Sequence, residues 1–171
     1  MPRLHKTELL CLILAASAGA CLHFLYTLLP CIATALVAPV RESLWEHVKL
    51  IFWPCLISGL VLHRKDPTLL GQRAFSLLAA VTGMLVLGYL YHICFQGDSL
   101  VFDIVLYVLM MTLFFLLPHL LRHSVWQEYG SIFVLLVLAL GVATFLFTFL
   151  PPGGLLFTDL SGTPTWVTLP C

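Results

Sequence analysis

The segment at residues 40–63 is apolar overall, but it is too polar at its start to cross a lipid bilayer at low cost. Its uninterrupted apolar part, from Leu50 to Leu62, is thirteen residues long. A helix of that length covers about 20 Å, against a hydrocarbon core of about 30 Å. A spanning helix must therefore include the polar residues that precede Leu50. Ionisable groups at that depth are costly and usually face a bundle interior or a watery cavity. We therefore expect this helix to serve a functional site through Ser43, Glu46, His47 and Lys49.

The composition indicates an integral membrane protein. The chain is 61% hydrophobic and 9% charged, with a mean hydropathy of +1.05, which lies outside the range of soluble domains. We predict an all-α membrane protein: a single domain, residues 1–171, built as a bundle of about five transmembrane helices. The expected helices lie at about residues 8–29, 40–63, 73–95, 99–118 and 130–150, followed by an extracytoplasmic tail at 151–171.

Two local signals add detail to this outline. The connector at residues 31–39 is too apolar for an ordinary water-exposed loop, so we expect it to lie in the membrane interface or to dip into the bilayer. Pro118 is expected to end the fourth helix, because it has no backbone N–H to donate.

The distribution of basic residues predicts the orientation. Six of the eight lie on the same side as the N-terminus and two lie on the other side, which places the N-terminus in the cytoplasm and the tail outside the cell membrane. The net charge is +0, so we expect membrane lipids rather than nucleic acid as partners. The six are Arg3, Lys6, Arg64, Lys65, Arg73 and Arg122; the two are Arg41 and Lys49.

Six cysteines form no C-x-x-C pair. Most lie in or near the spans, where a thiol is usually a small apolar filler. Cys31 and Cys171 are both expected outside, and whether they form a disulfide is left open.

Several segments carry a family resemblance. Residues 19–26 are G-A-C-L-H-F-L-Y, residues 39–54 are P-V-R-E-S-L-W-E-H-V-K-L-I-F-W-P, and F-T-F-L-P-P at 147–152 is followed by L-F-T-D. With these segments the chain resembles an uncharacterised family of small bacterial multi-spanning membrane proteins, whose signature is P-V-N-E-S-[IV]-W-E-H-x-K. Arg41 stands where that family has Asn, and Leu44 where it has Ile or Val. The resemblance implies the architecture but names no reaction.

A second spacing is similar to that of seven-helix intramembrane zinc hydrolases such as alkaline ceramidases. Ser43 and His47 match S-x-x-x-H, and His119 and His123 match H-x-x-x-H. The predicted topology places these two pairs at opposite faces of the membrane, where they cannot share one metal. We therefore treat the match as chance, and we expect His119 and His123 to be ordinary interfacial residues.

The polar part of the second helix forms a continuous arc at 100° per residue. Glu42 and Glu46 repel each other at this spacing, so Lys49, a proton or a bound cation must compensate. The alternative is an amphipathic helix that lies in the outer interface, with Trp45 as its anchor. The arc consists of Glu42, Ser43, Glu46, His47 and Lys49.

Residues from other helices are expected at the same depth. Imidazole and carboxylate groups together suit zinc or another divalent metal, and Asp103 in particular needs a partner or a proton inside an apolar run. We expect Glu46 to act as a general base and Ser43 to support it, which makes these the candidate catalytic residues. The candidate metal ligands are His23, Glu42, His47, His92 and Asp103.

Three functions are compatible with this pattern. The first is a metal-dependent intramembrane hydrolase or transferase that acts on a lipid-like substrate. The second is a transporter or binding protein for a small solute, a cation or protons. The third is a non-catalytic subunit of a membrane complex, whose polar groups only fasten the bundle.

Overall fold

The computed structural model describes residues 5–122 and 128–161 and is an all-α bundle. Five of the described helices are long and apolar enough to cross a membrane, as the sequence predicts. The short α2 fills the connector between the first two spans. The helices are α1 (Lys6–Leu28), α2 (Ile32–Val37), α3 (Leu44–His63), α4 (Leu70–Gly88), α5 (Leu100–Leu120) and α6 (Gly130–Phe149).

The most polar span, α3, occupies the centre of the bundle. Of its most apolar stretch, 56% is buried inside the protein, against 17% to 33% for the other four spans. Helix α3 contacts α1, α4, α5 and α6, so these more apolar helices separate it from lipid. Burial among neighbouring helices, where polar groups find partners, is how a bundle accommodates such a helix.

The connector forms a short helix that packs back onto the bundle. Ala35 and Ala38 are fully buried, and α2 contacts α1 and α6. The indole N–H of Trp53 donates to the Leu36 carbonyl at 3.2 Å. The connector thus covers the end of the bundle where α1 finishes and α3 begins, which we call the α2 end.

The element boundaries differ from the predicted ones at three places. Helix α3 begins at Leu44 rather than near residue 40, because Ser43 has an extended backbone and caps the helix, and residues 40–42 form a bend. Helix α4 already begins at Leu70. Helix α5 continues through Pro118 to Leu120, since a proline in the last turn does not force an immediate end. Cys171 and His123 lie outside the described residues, so the question whether Cys31 and Cys171 form a disulfide and the expected interfacial role of His123 both stay open.

The turn between α4 and α5 also lies at the α2 end. Helix α4 continues as a wider π-helical turn, Tyr89–Cys94, and Gln96 takes a positive φ of 53°. A side chain at Gly97 would collide with the Tyr91 ring, so the turn requires glycine there. Tyr91 instead stacks on Phe102, with the ring centroids 3.7 Å apart.

The predicted orientation depends on the excess of basic residues on the N-terminal side of the membrane, and the structure makes this excess larger. Arg41 and Lys49, the two basic residues at the α2 end, are both buried. The Lys49 ammonium donates to the Ala35 carbonyl at 2.7 Å, and the Arg41 guanidinium donates to the Thr148 carbonyl at 3.1 Å. Neither is a free loop charge of the kind that retains a segment in the cytoplasm.

We therefore predict that the α2 end faces the outside of the cell membrane. A reporter fused after Lys65, in the loop between α3 and α4, should be active in the cytoplasm. A reporter fused after Asp159 should be active outside, because five spans place these two points on opposite sides. Cytoplasmic activity of the second fusion would contradict the prediction.

Candidate metal centre

Three side chains from two helices and one connector meet at the α2 end. The ligand atoms of His23 on α1, Glu42 before α3 and His47 on α3 all lie within 4.8 Å of one another. Oε2 of Glu42 is 3.2 Å from Nε2 of His47, and Oε1 is 4.0 Å from Nε2 of His23. Sequence analysis selected all three as ligands, and the structure brings them together. We call His23, Glu42 and His47 the three-residue cluster.

The start of α3 is what allows Glu42 to reach this position. The Ser43 side chain accepts from the Glu46 N–H at 3.3 Å, which is N-capping and begins the helix at residue 44. Glu42 therefore lies in the bend before the helix instead of on the helical arc, and its carboxylate contacts His47. The Leu160 N–H holds this segment by donating to the Glu42 carbonyl at 2.8 Å.

The ring of His47 has a fixed tautomer and orientation. Its Nδ1 lies 2.8 Å from the Ser43 carbonyl, which can only accept, so Nδ1 carries a proton. In the neutral ring Nε2 then presents its lone pair to the Glu42 carboxylate. That contact is repulsive unless the ring is protonated or a cation lies between the two groups. An Nδ1–H donated to a backbone carbonyl is also the usual way in which a protein orients a histidine that binds metal through Nε2.

His23 is the less constrained member of the cluster. Its ring lies 5.4 Å from that of His47 by centroid distance. Its Nδ1 is buried and takes part in no hydrogen bond with the described residues. Buried polar atoms normally have a partner, so the bonds within this part of the chain do not account for the position of His23.

The separations within the cluster are close to those of a zinc site. Bonds of about 2.0–2.2 Å in tetrahedral geometry place ligand atoms about 3.3–3.6 Å apart. The Glu42–His47 pair, at 3.2 Å, already has this separation. The His23–Glu42 pair, at 4.0 Å, must close by about half an ångström, which is a small rotation for a ring without a hydrogen-bonded Nδ1.

The carboxylate of the cluster is stabilised in its ionised form. The hydrogen bond from the His47 ring holds the pKa of the Glu42 carboxyl below its ordinary value, and the charges of His47 and His23 act in the same direction. These contacts require protonated rings, and a bound metal would take the place of those protons beside the same ionised carboxylate. The side chains of the cluster remain 24% to 48% exposed, so a ligand has access to them.

The other two predicted ligands form a separate pair. Nε2 of His92, in the π-helical turn, lies 2.8 Å from Oδ1 of Asp103 on α5. Nδ1 of His92 lies 2.9 Å from the Gly97 carbonyl, so this ring is oriented in the same way as that of His47. The structure thus places His92 and Asp103 at the same end of the bundle, outside the three-residue cluster.

Glu46 has a different environment from the one its predicted role as a base requires. Glu46 is 1% exposed and Lys49 is 0% exposed, and the Lys49 ammonium donates to Oε2 of Glu46 at 2.7 Å. Oε2 also accepts from the Val40 N–H at 2.9 Å, and the Thr148 hydroxyl lies 3.2 Å from Oε1. Oε2 has two donors, and the single proton of the Thr148 hydroxyl is shared between Oε1 and the Thr144 carbonyl, which lies 2.7 Å from the hydroxyl oxygen. The sequence analysis expected Lys49, a proton or a bound cation to offset the repulsion between Glu42 and Glu46. For Glu46 the structure shows the first of these, Lys49.

Lys49 links this pair to the connector. Its ammonium has three protons, and three acceptors surround it: the carbonyls of Ala35 and Ala38, at 2.7 and 3.1 Å, and the Glu46 carboxylate. A buried charge with every proton donated is stable where an unpaired one is not. The helical wheel placed Lys49 beside Glu46, but nothing in the periodicity indicated the two carbonyls.

Sequence analysis missed the contribution of the C-terminal part. The Thr148 hydroxyl approaches Glu46, and the Thr148 carbonyl accepts from Arg41 at 3.1 Å. Trp45, predicted to anchor an interfacial helix, packs between the rings of Phe147 and Phe157, at 5.3 Å from each by centroid distance. The sequence signal for these contacts is the F-T-F-L-P-P segment, which contains Phe147 and Thr148.

The opposite end of the bundle carries its own histidine contact. Nε2 of His119 lies 2.9 Å from Oε1 of Glu8, and Arg122 pairs with Asp66 at 3.1 Å. His119 and the three-residue cluster therefore lie at opposite ends of the described bundle, as the sequence predicted.

These features define a five-span membrane protein with a histidine–carboxylate cluster at one end. The chain belongs to a family of unknown function, DUF6512, whose model matches residues 3–163. This match is consistent with the expectation of an uncharacterised family. No curated protein and no solved structure matches the chain.

The Glu46–Lys49 pair generates a stability prediction. Glu46→Gln or Lys49→Met alone should lower the free energy of unfolding by about 3–5 kcal/mol, because each leaves a buried charge without its partner. The double variant should lose less than the sum of the two. Unfolding followed in detergent micelles measures all three values.

Arg122→Met is the matched control for this cycle. It removes a cation from an ion pair in which the arginine side chain is 51% exposed, so it should cost about 1 kcal/mol or less. Additive losses at Glu46 and Lys49, or losses no larger than that of the control, would show that the pair does not hold the α2 end together.

Proposed function

We propose that this protein is a metal-dependent intramembrane hydrolase whose metal, zinc or another divalent ion, is bound by His23, Glu42 and His47. The observation that carries the proposal is the geometry of the cluster: two imidazoles and a carboxylate converge, and a backbone carbonyl orients one of the rings. Two histidines and one glutamate are the protein ligands of a large class of catalytic zinc sites, which keep the fourth position open for water or substrate.

The partial exposure of the cluster favours catalysis over a purely structural metal. Structural zinc sites are closed by four protein ligands. Here the described residues offer three, and Glu42 is about half exposed. A water molecule and a substrate group would both have room at such a centre.

The place of the cluster in the bundle favours a lipid-like substrate. The cluster lies near the end of α1 and the start of α3, and large apolar side chains on the outer surface of α1 are exposed close to it, including Phe24 and Leu28. In a bilayer these side chains face acyl chains. A substrate with an apolar tail and a hydrolysable head group would reach the cluster from the leaflet at the α2 end.

The metal would supply Lewis acidity and lower the pKa of a bound water. The chain contributes the geometry around it. The Ser43 carbonyl orients the His47 ring. The Ser43 side chain caps the start of α3, so Glu42 lies outside the helix, and the Leu160 N–H fixes the Glu42 backbone. Ser43 therefore acts in this proposal as a positioning residue.

Metal analysis tests the first half of the proposal. Protein purified in detergent and loaded with zinc should hold about one metal per chain, and His47→Ala should reduce this severalfold or more because one of three ligands is lost. Binding should weaken as the pH falls from about 8 to about 6, since a histidine must be deprotonated to bind metal. Mass spectrometry of the metal content after dialysis measures both effects.

His63→Ala is the matched control, because His63 lies on the same helix, α3, at the opposite end. This variant should retain the metal. Equal metal content in the wild type, His47→Ala and His63→Ala, or no retained metal in any of them, would mean that the cluster is a set of imidazolium–carboxylate contacts that only fasten α1 to α3.

Hydrolysis tests the second half. The zinc-loaded protein should cleave para-nitrophenyl esters, with a preference for long acyl chains over short ones, and His47→Ala should lose this activity. Release of para-nitrophenol, measured in detergent for both chain lengths, gives the rates. Retained zinc without hydrolysis above the His47→Ala level would leave a metal site without this function.

A further inference from the structure

The proposed function requires a group that takes a proton from the attacking water, and the residue predicted for this role is not available. Glu46 is 1% exposed, and Lys49 and the Val40 N–H both donate to its Oε2. A general base needs a free oxygen within reach of the reacting water. Another carboxylate at the α2 end would have to take this role.

Three helices meet at Gly19 on α1. A side chain at this position would collide with both the Tyr107 hydroxyl of α5 and the Leu50 carbonyl of α3. The Tyr107 hydroxyl also donates to the Ala16 carbonyl at 2.8 Å. Gly19, Leu50 and Tyr107 thus mark one level of the bundle at which α1, α3 and α5 face one another.

One turn above this level, toward the α2 end, each of these helices presents an ionisable residue. Residues three or four apart share a helix face. His23 therefore lies above Gly19, His47 above Leu50 and Asp103 above Tyr107. Helix α1 runs toward the α2 end while α3 and α5 run away from it. His23 follows Gly19 in sequence, whereas His47 and Asp103 precede Leu50 and Tyr107, so all three ionisable residues are displaced toward the α2 end. His23 and His47 do meet, so Asp103 lies at the level of the cluster, on the third of these helices.

Asp103 has an accessible carboxylate oxygen, which the buried Glu46 lacks. Its Oδ1 is held by Nε2 of His92 at 2.8 Å, while its Oδ2 takes no hydrogen bond from the described residues. The side chain is 45% exposed. Nδ1 of His92 is fixed in turn by the Gly97 carbonyl at 2.9 Å, so the pair is rigid on one side and open on the other.

We propose that Asp103 is the proton acceptor of the three-residue cluster and that His92 is its positioning residue. Resting on the proposed function, this inference assigns the base of the same site. As the water oxygen forms its bond to the substrate carbonyl carbon, one water O–H bond breaks and the proton moves to Oδ2 of Asp103. The electron pair of that bond stays on oxygen. Asp103 then returns the proton to the leaving group as the ester C–O bond breaks.

The test compares Asp103→Asn with Asp98→Asn in the zinc-loaded protein. Asp98 is an exposed carboxylate in the turn just before α5, so the chemical change and the end of the bundle are the same. Asp103→Asn should retain about one zinc per chain and lose about 10²- to 10⁴-fold in kcat for a para-nitrophenyl ester, the usual contribution of a general base. Asp98→Asn should keep both zinc and activity.

A rescue experiment separates proton transfer from a structural role. Asp103→Ala leaves space in which formate can act as the base, so added formate should restore part of its kcat, and it should have no such effect on His47→Ala. His92→Gln should lower kcat less than Asp103→Asn does and leave the zinc content unchanged.

The outcomes distinguish this inference from the proposed function. Loss of zinc from Asp103→Asn would make Asp103 a ligand and overturn the inference. Retained zinc with wild-type kcat in Asp103→Asn, or the absence of formate rescue, would also overturn it while the metal-dependent hydrolysis stands. No zinc-dependent hydrolysis in the wild type would overturn both.

Discussion

The buried Lys49–Glu46 pair is the interaction on which the α2 end depends. Two charges without exposure to solvent are tolerable in a membrane protein only when all of their hydrogen-bonding capacity is used. Here that requirement draws three separate pieces of chain to α3: the carbonyls of the α2 segment, the N–H of Val40 and the hydroxyl of Thr148. The chain between the α2 segment and α3 is thereby fixed at Val40, two residues before Glu42.

The candidate centre follows from that arrangement. With residue 40 held by Glu46 and α3 capped by Ser43, the intervening chain stays outside the helix as a bend, and Glu42 is directed toward the histidines. The two glutamates that would repel each other on one helical arc are separated into different roles. Glu46 is neutralised by Lys49 inside the bundle, and Glu42 stays accessible beside His47.

The sequence predicted the fold because hydropathy and length determine which segments span a bilayer. It also predicted the members of the cluster, because a histidine or carboxylate at membrane depth is too costly to be incidental. It did not predict that Glu42 lies off the helix, since the helical wheel extended through Ser43 although serine is a preferred N-cap residue. It predicted Glu46 as the general base, because the helical arc groups Glu46 with Glu42 and His47. The partners of Lys49 are backbone carbonyls, which no side-chain pattern records.

X-ray absorption at the zinc K-edge of the loaded protein tests the central claim most directly, because it reports the ligands themselves. The account predicts the multiple scattering of two imidazole rings at about 2.0–2.1 Å, with the remaining scatterers fitted as oxygen at about 2.0–2.2 Å. In His23→Ala one imidazole contribution should disappear. A spectrum without imidazole scattering, or one dominated by sulfur at about 2.3 Å, would contradict the assignment of His23, Glu42 and His47 as the metal ligands.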